Sequence, residues 1–146
     1  AQAIKLAAAL HQLGKNGKVT LKNGEDNWYS TYVDYAIANG IIDEAYGELS
    51  YAQMNAAATR KEFVGIFYGA MNFYAKKNTV ADNAIPDVKT NDAYAEEIYE
   101  FYRAGILTGN DDAGTFAPNS NIKRAEVATI LIRMYDVSAR QNITLN

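Results

Sequence analysis

Two arginines stand where a cation is electrostatically out of place. Thr59-x-x-Glu62 reads as a capping box, in which the Thr oxygen accepts from a first-turn amide and the Glu reaches back. That puts Arg60 at the first helical position. Arg124 recurs in the same setting, in Lys123-Arg124-Ala125-Glu126, about 64 residues further on. A helix N-terminus already carries partial positive charge, so an Arg there costs stability. It suits a ligand instead, because Arg beside first-turn N–H groups makes an anion site. A guanidinium also grips a carboxylate through two parallel hydrogen bonds. A sugar bearing a carboxylate is a fitting guest, with the face of Trp28 or Tyr94 stacked on its ring. The plainer alternative is that each Arg pairs with a neighbouring Glu or Asp.

Other chemistries find less support. Glu62 and Glu126 could be imagined as a glycosidase acid pair, but their places at equivalent helix starts favour capping. No Ser-His-Asp set, phosphate loop or metal-binding His pair is present. His11 is the single His, and without Cys it makes a poor metal ligand. Asn110-Asp111-Asp112-Ala113-Gly114 lacks the ligand series and closing Glu of a calcium loop, and reads as a polar turn. No cofactor is expected. Trp28 reads equally as a sugar platform or a packing residue, and the recurring helical Tyr residues as mainly packing.

The elements that must position these residues form a repeat. Ala3/Leu6/Ala7/Leu10, Phe63/Ile66/Phe67/Ala70 and Val127/Ile130/Leu131/Met134 each follow i, i+3, i+4, i+7, the stripe of an amphipathic helix. A second helix type also recurs, over 28–41 and 93–106. Both copies end in Gly-Ile, with Gly40 and Gly105 placed as left-handed helix stops. The unit is helix, Gly stop, long loop, Arg-x-Glu start, helix. Two whole units are expected, at roughly 27–78 and 85–137, preceded by the last helix of another, 1–13. Turn-rich linkers lie at 14–17, 22–27 and 76–87.

Composition agrees with a folded, non-nucleic-acid-binding protein. The 146 residues are 49% hydrophobic, so a core can form, and net charge is −3 without a basic run. No apolar run reaches membrane-spanning length. The chain lacks Cys, which excludes disulfides. It opens directly in a helical pattern, as if cut from a longer protein.

The later unit reads Ile85-Pro86-Asp87-Val88, Tyr94 to Gly105-Ile106-Leu107-Thr108-Gly109, Gly114-Thr115-Phe116-Ala117-Pro118 and Ile122-Lys123-Arg124-Ala125-Glu126. This resembles the S-layer homology (SLH) repeat. The earlier unit keeps Trp28, Gly40-Ile41 and Thr59-Arg60-Lys61-Glu62 but lacks Gly-x-Phe-x-Pro. The resemblance implies an all-α fold of tandem helix–loop–helix repeats packed as a pseudo-threefold helical spindle. On that basis the domains are 1–26 (terminal helix of a truncated first repeat plus linker), 27–84 (second repeat) and 85–146 (third repeat plus tail).

It also implies a non-catalytic module of an extracellular protein on the bacterial cell surface. Its partner is a secondary cell-wall polysaccharide or peptidoglycan-linked glycan, often pyruvate-ketal-modified, with no membrane span and no nucleic acid. The site residues carried over are Arg60, Arg124, Trp28, Tyr94, Gly105, Gly109, Glu62 and Glu126. Two departures bear on the site: Lys123 replaces the usual capping Thr, and Ala93 stands where Trp leads the helix. They favour an alternative, a structural assembly module of a surface lattice with a degenerate glycan site. The short first repeat also admits completion by a second copy, as a homo-oligomer.

Overall fold

A computed structural model describes residues 1–72 and 74–146. It is predominantly helical, with α1 (Gln2–Asn16), α2 (Ser30–Ala38), α3 (Tyr51–Asn55), α4 (Arg60–Tyr68), α5 (Ala95–Arg103) and α6 (Arg124–Tyr135). Two short 3-10 helices, Glu44–Glu48 and Val137–Ala139, and two two-residue strands, β1 (Thr79–Val80) and β2 (Thr144–Leu145), complete the described elements. The chain divides into two compact units. Unit 1 is Ala1–Ala57 with Ile66–Asn72, and unit 2 is Ala58–Gly65 with Phe73–Asn146.

Unit 1 is built on α1 packed against α2. The buried face of α1 is Ala3, Ile4, Ala7 and Ala8, whereas Leu6 is exposed and Leu10 half-buried. The predicted stripe 3/6/7/10 is therefore rotated. Alanine at positions 3, 7, 8 and 9 spreads weakly apolar residues over more than one face, so periodicity alone underdetermines the inward one. The Ala side chains allow a close approach to α2, where Tyr32, Val33 and Ala36 are buried. The helix also runs through the predicted turn at 14–16 and stops at Gly17, whose φ of 70° is left-handed and whose N–H donates to the Leu13 carbonyl. The loop that follows is tied down by buried Gln12, which bonds Thr20 and Leu21. His11 meets the Tyr35 hydroxyl at 2.9 Å, and burial followed by the nearby Lys15 charge lowers its pKa.

The two Gly-Ile stops form as predicted. Gly40 (φ 67°) donates to the Ile37 carbonyl and Ile41 to Ala36; Gly105 (φ 78°) donates to Tyr102 and Ile106 to Phe101. Each is a helix end closed by a left-handed residue, with orphan carbonyls satisfied by the next two amides. The later stop is the more crowded. Open space surrounds the Cα of Gly40, whereas a Cβ on Gly105 would meet the Gln141 backbone.

Unit 2 places α5 at its core, with Ile98, Tyr99, Phe101 and Tyr102 all buried. The tail from Val137 onward returns along this helix. Gln141 N–H donates to the Gly105 carbonyl, and β2 pairs in parallel with β1, Thr79 opposite Thr144. Asn78 fastens the joint by donating to the Tyr102 and Gln141 carbonyls and accepting from Ile143 N–H.

Candidate functional site

The site in unit 2 starts from an antiparallel meeting of two helix-entry arms. Thr59 bridges Asn121, Ile122 N–H donates to the Ala58 carbonyl, and Arg60 N–H donates to the Ser120 carbonyl. Lys61 N–H donates to Pro118. The first-turn amides of α4 that the sequence offered to an anion are thus taken by backbone carbonyls. The capping box does form: Thr59 N–H donates to the Glu62 carboxylate at 2.8 Å, and Glu62 N–H to the Thr59 hydroxyl at 3.4 Å.

Arg60 is only 5% exposed. Its Nε donates to the Phe116 carbonyl at 2.6 Å, a terminal nitrogen is ion-paired with Glu126, and the guanidinium lies 4.9 Å from the Phe116 ring centroid. Burial pushes its pKa down, and the neighbouring Tyr102 hydroxyl and Asp87 carboxylate oppose that shift. A guanidinium removed from water needs such partners, because an uncompensated buried charge is strongly destabilising. Glu126 does two jobs at once. One oxygen meets Arg60, and the other accepts from Lys123 N–H at 2.8 Å, supplying the half of the cap that Lys123 cannot.

The loop under Arg60 is itself held by a residue whose role sequence reasoning missed. Asp87 accepts from the N–H groups of Phe116 (2.9 Å) and Ala117 (2.7 Å). Ala117 sits at a left-handed φ of 58°, a conformation that a non-glycine residue adopts only when neighbours enforce it. The signal was present in Ile85-Pro86-Asp87-Val88, but a 29-residue separation gave no local reason to pair them. The segment 110–114 closes as a turn, with Gly114 N–H on the Asp111 carbonyl and Thr115 N–H on its carboxylate, which lowers the Asp111 pKa.

Beside Arg60 opens a cleft of about 260 Å³. One wall is the loop Ile106–Asn110; the other is α6, through Ala125, Glu126, Thr129, Ile130 and Arg133. Of the predicted residues, Arg60, Glu126 and Gly109 meet here. Gly109 takes φ 88° with its Cα against Gly114, which leaves no space for a side chain. Gly105, Glu62 and Tyr94 belong to unit 2 but lie outside the cleft lining. Tyr94 caps α5 at φ 63°, and its ring lies where Gly65 would carry a Cβ. Arg124 is exposed at the start of α6. Trp28 is in unit 1, half-buried, with an edge contact to Tyr29 (5.6 Å) and Lys5 Nζ 5.8 Å from its ring centroid. Arg133 was not among the predicted site residues, because α6 read there as an ordinary amphipathic helix.

An open, mixed polar and apolar cleft with an arginine–glutamate pair at its edge has room and polar groups for a small ligand. Residues 84–128 match the family model described as S-layer homology domain, so that stretch of the chain is an SLH domain. It is similar to Exoglucanase XynX of Acetivibrio thermocellus, 29% identical over 119 residues, which cover 82% of this chain and 10% of the relative. It is also similar to Amylopullulanase of Thermoanaerobacterium thermosulfurigenes, 30% identical over 118 residues, covering 81% of this chain and 6% of the relative. The chain thus spans a tenth or less of these curated relatives. No solved structure matches. An SLH domain is a non-catalytic module that anchors bacterial surface proteins to the cell wall, and the one at residues 84–128 marks this chain as part of a cell-surface protein. No described helix is long and apolar enough to cross a membrane.

Proposed function

We propose that the chain anchors a larger secreted protein by holding an anionic, pyruvate-ketal-modified secondary cell-wall polysaccharide in the cleft of unit 2. The observation that carries this is the joining of Arg60, Glu126 and Gly109 at one open cleft, although 66 residues separate the ion pair. The volume suits about one sugar residue, being below the usual range for larger ligands. Ala125 can lie under the apolar face of a sugar ring, and Thr108, Asn110 and Thr129 can meet its hydroxyls. Trp28 and Tyr94 are the proposed stacking surfaces at other points of the chain, and Arg124 an outer cation. The proposed repeats remain 27–84 and 85–146. The matching Gly-Ile stops and the matching helix starts support them.

The activities named for the two relatives belong to those proteins, of which the matched stretch is a small part. We place their catalysis outside that stretch. A second reading, assembly between proteins in a surface lattice, is favoured by one feature. Ile132, Tyr135 and Val137 are 58%, 73% and 62% exposed at the end of α6, an apolar group of the kind found at protein contacts.

Co-sedimentation of the chain with purified walls, before and after extraction of their secondary polysaccharide, separates these readings. Binding that disappears on extraction is the expected result. Concentration-dependent self-association with no uptake onto intact walls would replace anchoring by lattice assembly.

A further inference from the structure

We infer that Arg133, rather than Arg60, supplies the positive charge that meets the ligand's carboxylate in this cleft. The inference rests on the glycan-binding reading above and assigns the residue that sets its charge preference.

The charges in the cleft decide the matter. Arg60 is already neutralised by Glu126, and its Nε is committed to the Phe116 carbonyl. Among the described residues the ion pairs are Arg60–Glu126 and Arg103–Asp82, so no carboxylate stands within ion-pair distance of Arg133. Arg133 nevertheless lines the cleft, half-buried, with one terminal nitrogen donating 3.1 Å to the Ile106 carbonyl. A neutral carbonyl orients a guanidinium without cancelling its charge. A guanidinium has five N–H donors, and two in parallel match a carboxylate. Desolvation lowers the Arg133 pKa, as it does for a cation taken partly out of water without a counter-ion. An anion entering the cleft relieves that cost.

The fold also holds this arginine in place. Buried Arg140 donates from Nε to the Arg133 carbonyl at 2.9 Å, which ties the tail to the end of α6. The earlier repeat provides the contrast. The residue 64 positions before Arg133 is Gly69, and the counterpart of Ile106 is Ile41. A Cβ on Gly69 would run into the Ile41 carbonyl, so the backbones meet there directly and no side chain fits. One repeat closes this place with glycine; the other opens it with an arginine. The charged subsite therefore belongs to the later repeat.

The test uses the full chain and two probes: a pyruvate-ketal N-acetylhexosaminide, and its neutral isopropylidene analogue, in which a methyl replaces the carboxylate. Calorimetric titration and wall co-sedimentation are run on wild type, Arg133→Gln, Arg133→Lys and Lys18→Ala, with circular dichroism to verify folding. The wild-type chain is expected to prefer the charged probe. Arg133→Gln retains a donor for Ile106 and should weaken the charged probe about 10- to 100-fold, the range of one charge-assisted hydrogen bond. It should leave the neutral probe unchanged. Arg133→Lys should recover part of the loss, and Lys18→Ala, an exposed cation outside the cleft, should match wild type. A folded Arg133→Gln that binds walls and charged probe like wild type overturns this inference alone. A wild-type chain that binds neither walls nor probe overturns the glycan reading and this inference with it.

Discussion

At the scale of single residues, the site depends on two carboxylates, Glu126 and Asp87, that each hold two groups. Glu62 and Glu126 occupy equivalent places, three residues beyond the start of a helix-entry motif, and each accepts from the capping residue's N–H. Only Glu126 also meets a buried arginine. Glu62→Ala should therefore cost about 1 kcal/mol, the worth of a cap. Glu126→Ala should cost about 3 kcal/mol, since it also leaves Arg60 without its counter-ion, and the 29% exposure of the Glu126 side chain keeps the loss at the low end for a broken buried pair. Urea denaturation of the two variants measures the difference. Equal losses would show that Arg60 finds another partner or water.

At the scale of elements, the same stop signal is used in two environments. Gly40 and Gly105 both end a helix with positive φ and the same pair of backbone hydrogen bonds. Alanine at Gly40 faces open space, so it carries only the left-handed conformational cost of about 1 kcal/mol. Alanine at Gly105 adds an overlap with the backbone of Gln141, whose N–H is bonded to the Gly105 carbonyl. The larger loss should come with a local signature. Hydrogen exchange at Gln141 and Ile143 should rise in Gly105→Ala before global unfolding, as the tail lifts from α5. Unchanged protection of these amides would show that the tail is held by β1 and Asn78 alone.

At the scale of the whole molecule, charge sets how the wall polymer can be recognised. A net charge of −3 repels a polyanion at long range, so the proposed attraction must come from a short-range, oriented contact. Raising salt from about 20 mM to about 0.15 M, which shortens the screening length to about 8 Å, should change wall affinity by less than about threefold. A binder that works by neutralising many charges loses orders of magnitude over a comparable change. Co-sedimentation across that salt series reads the slope. A steep fall would move the contact from the cleft to exposed cations such as Arg124.

What the sequence by itself determined is local. The capping box at Thr59, the glycine stops and the existence of the main helices were legible because their hydrogen bonds span five residues or fewer, and the family followed from motifs in order. The inward face of α1 was not legible, because its alanines spread weak apolarity over neighbouring faces and the helix takes its orientation from α2. The tail's return to β1, the hold of Asp87 on the 116–117 loop and the pairing of Arg60 with Glu126 were equally hidden. Spacing put Arg60 at a helix start, where it read as a free clamp. Only the tertiary structure supplied the carbonyl, ring and carboxylate that enclose it, and left Arg133 facing the cleft without a counter-ion. Whether a guanidinium is a binder or a buried brace depends on which distant groups arrive to desolvate and neutralise it, and no local pattern encodes that.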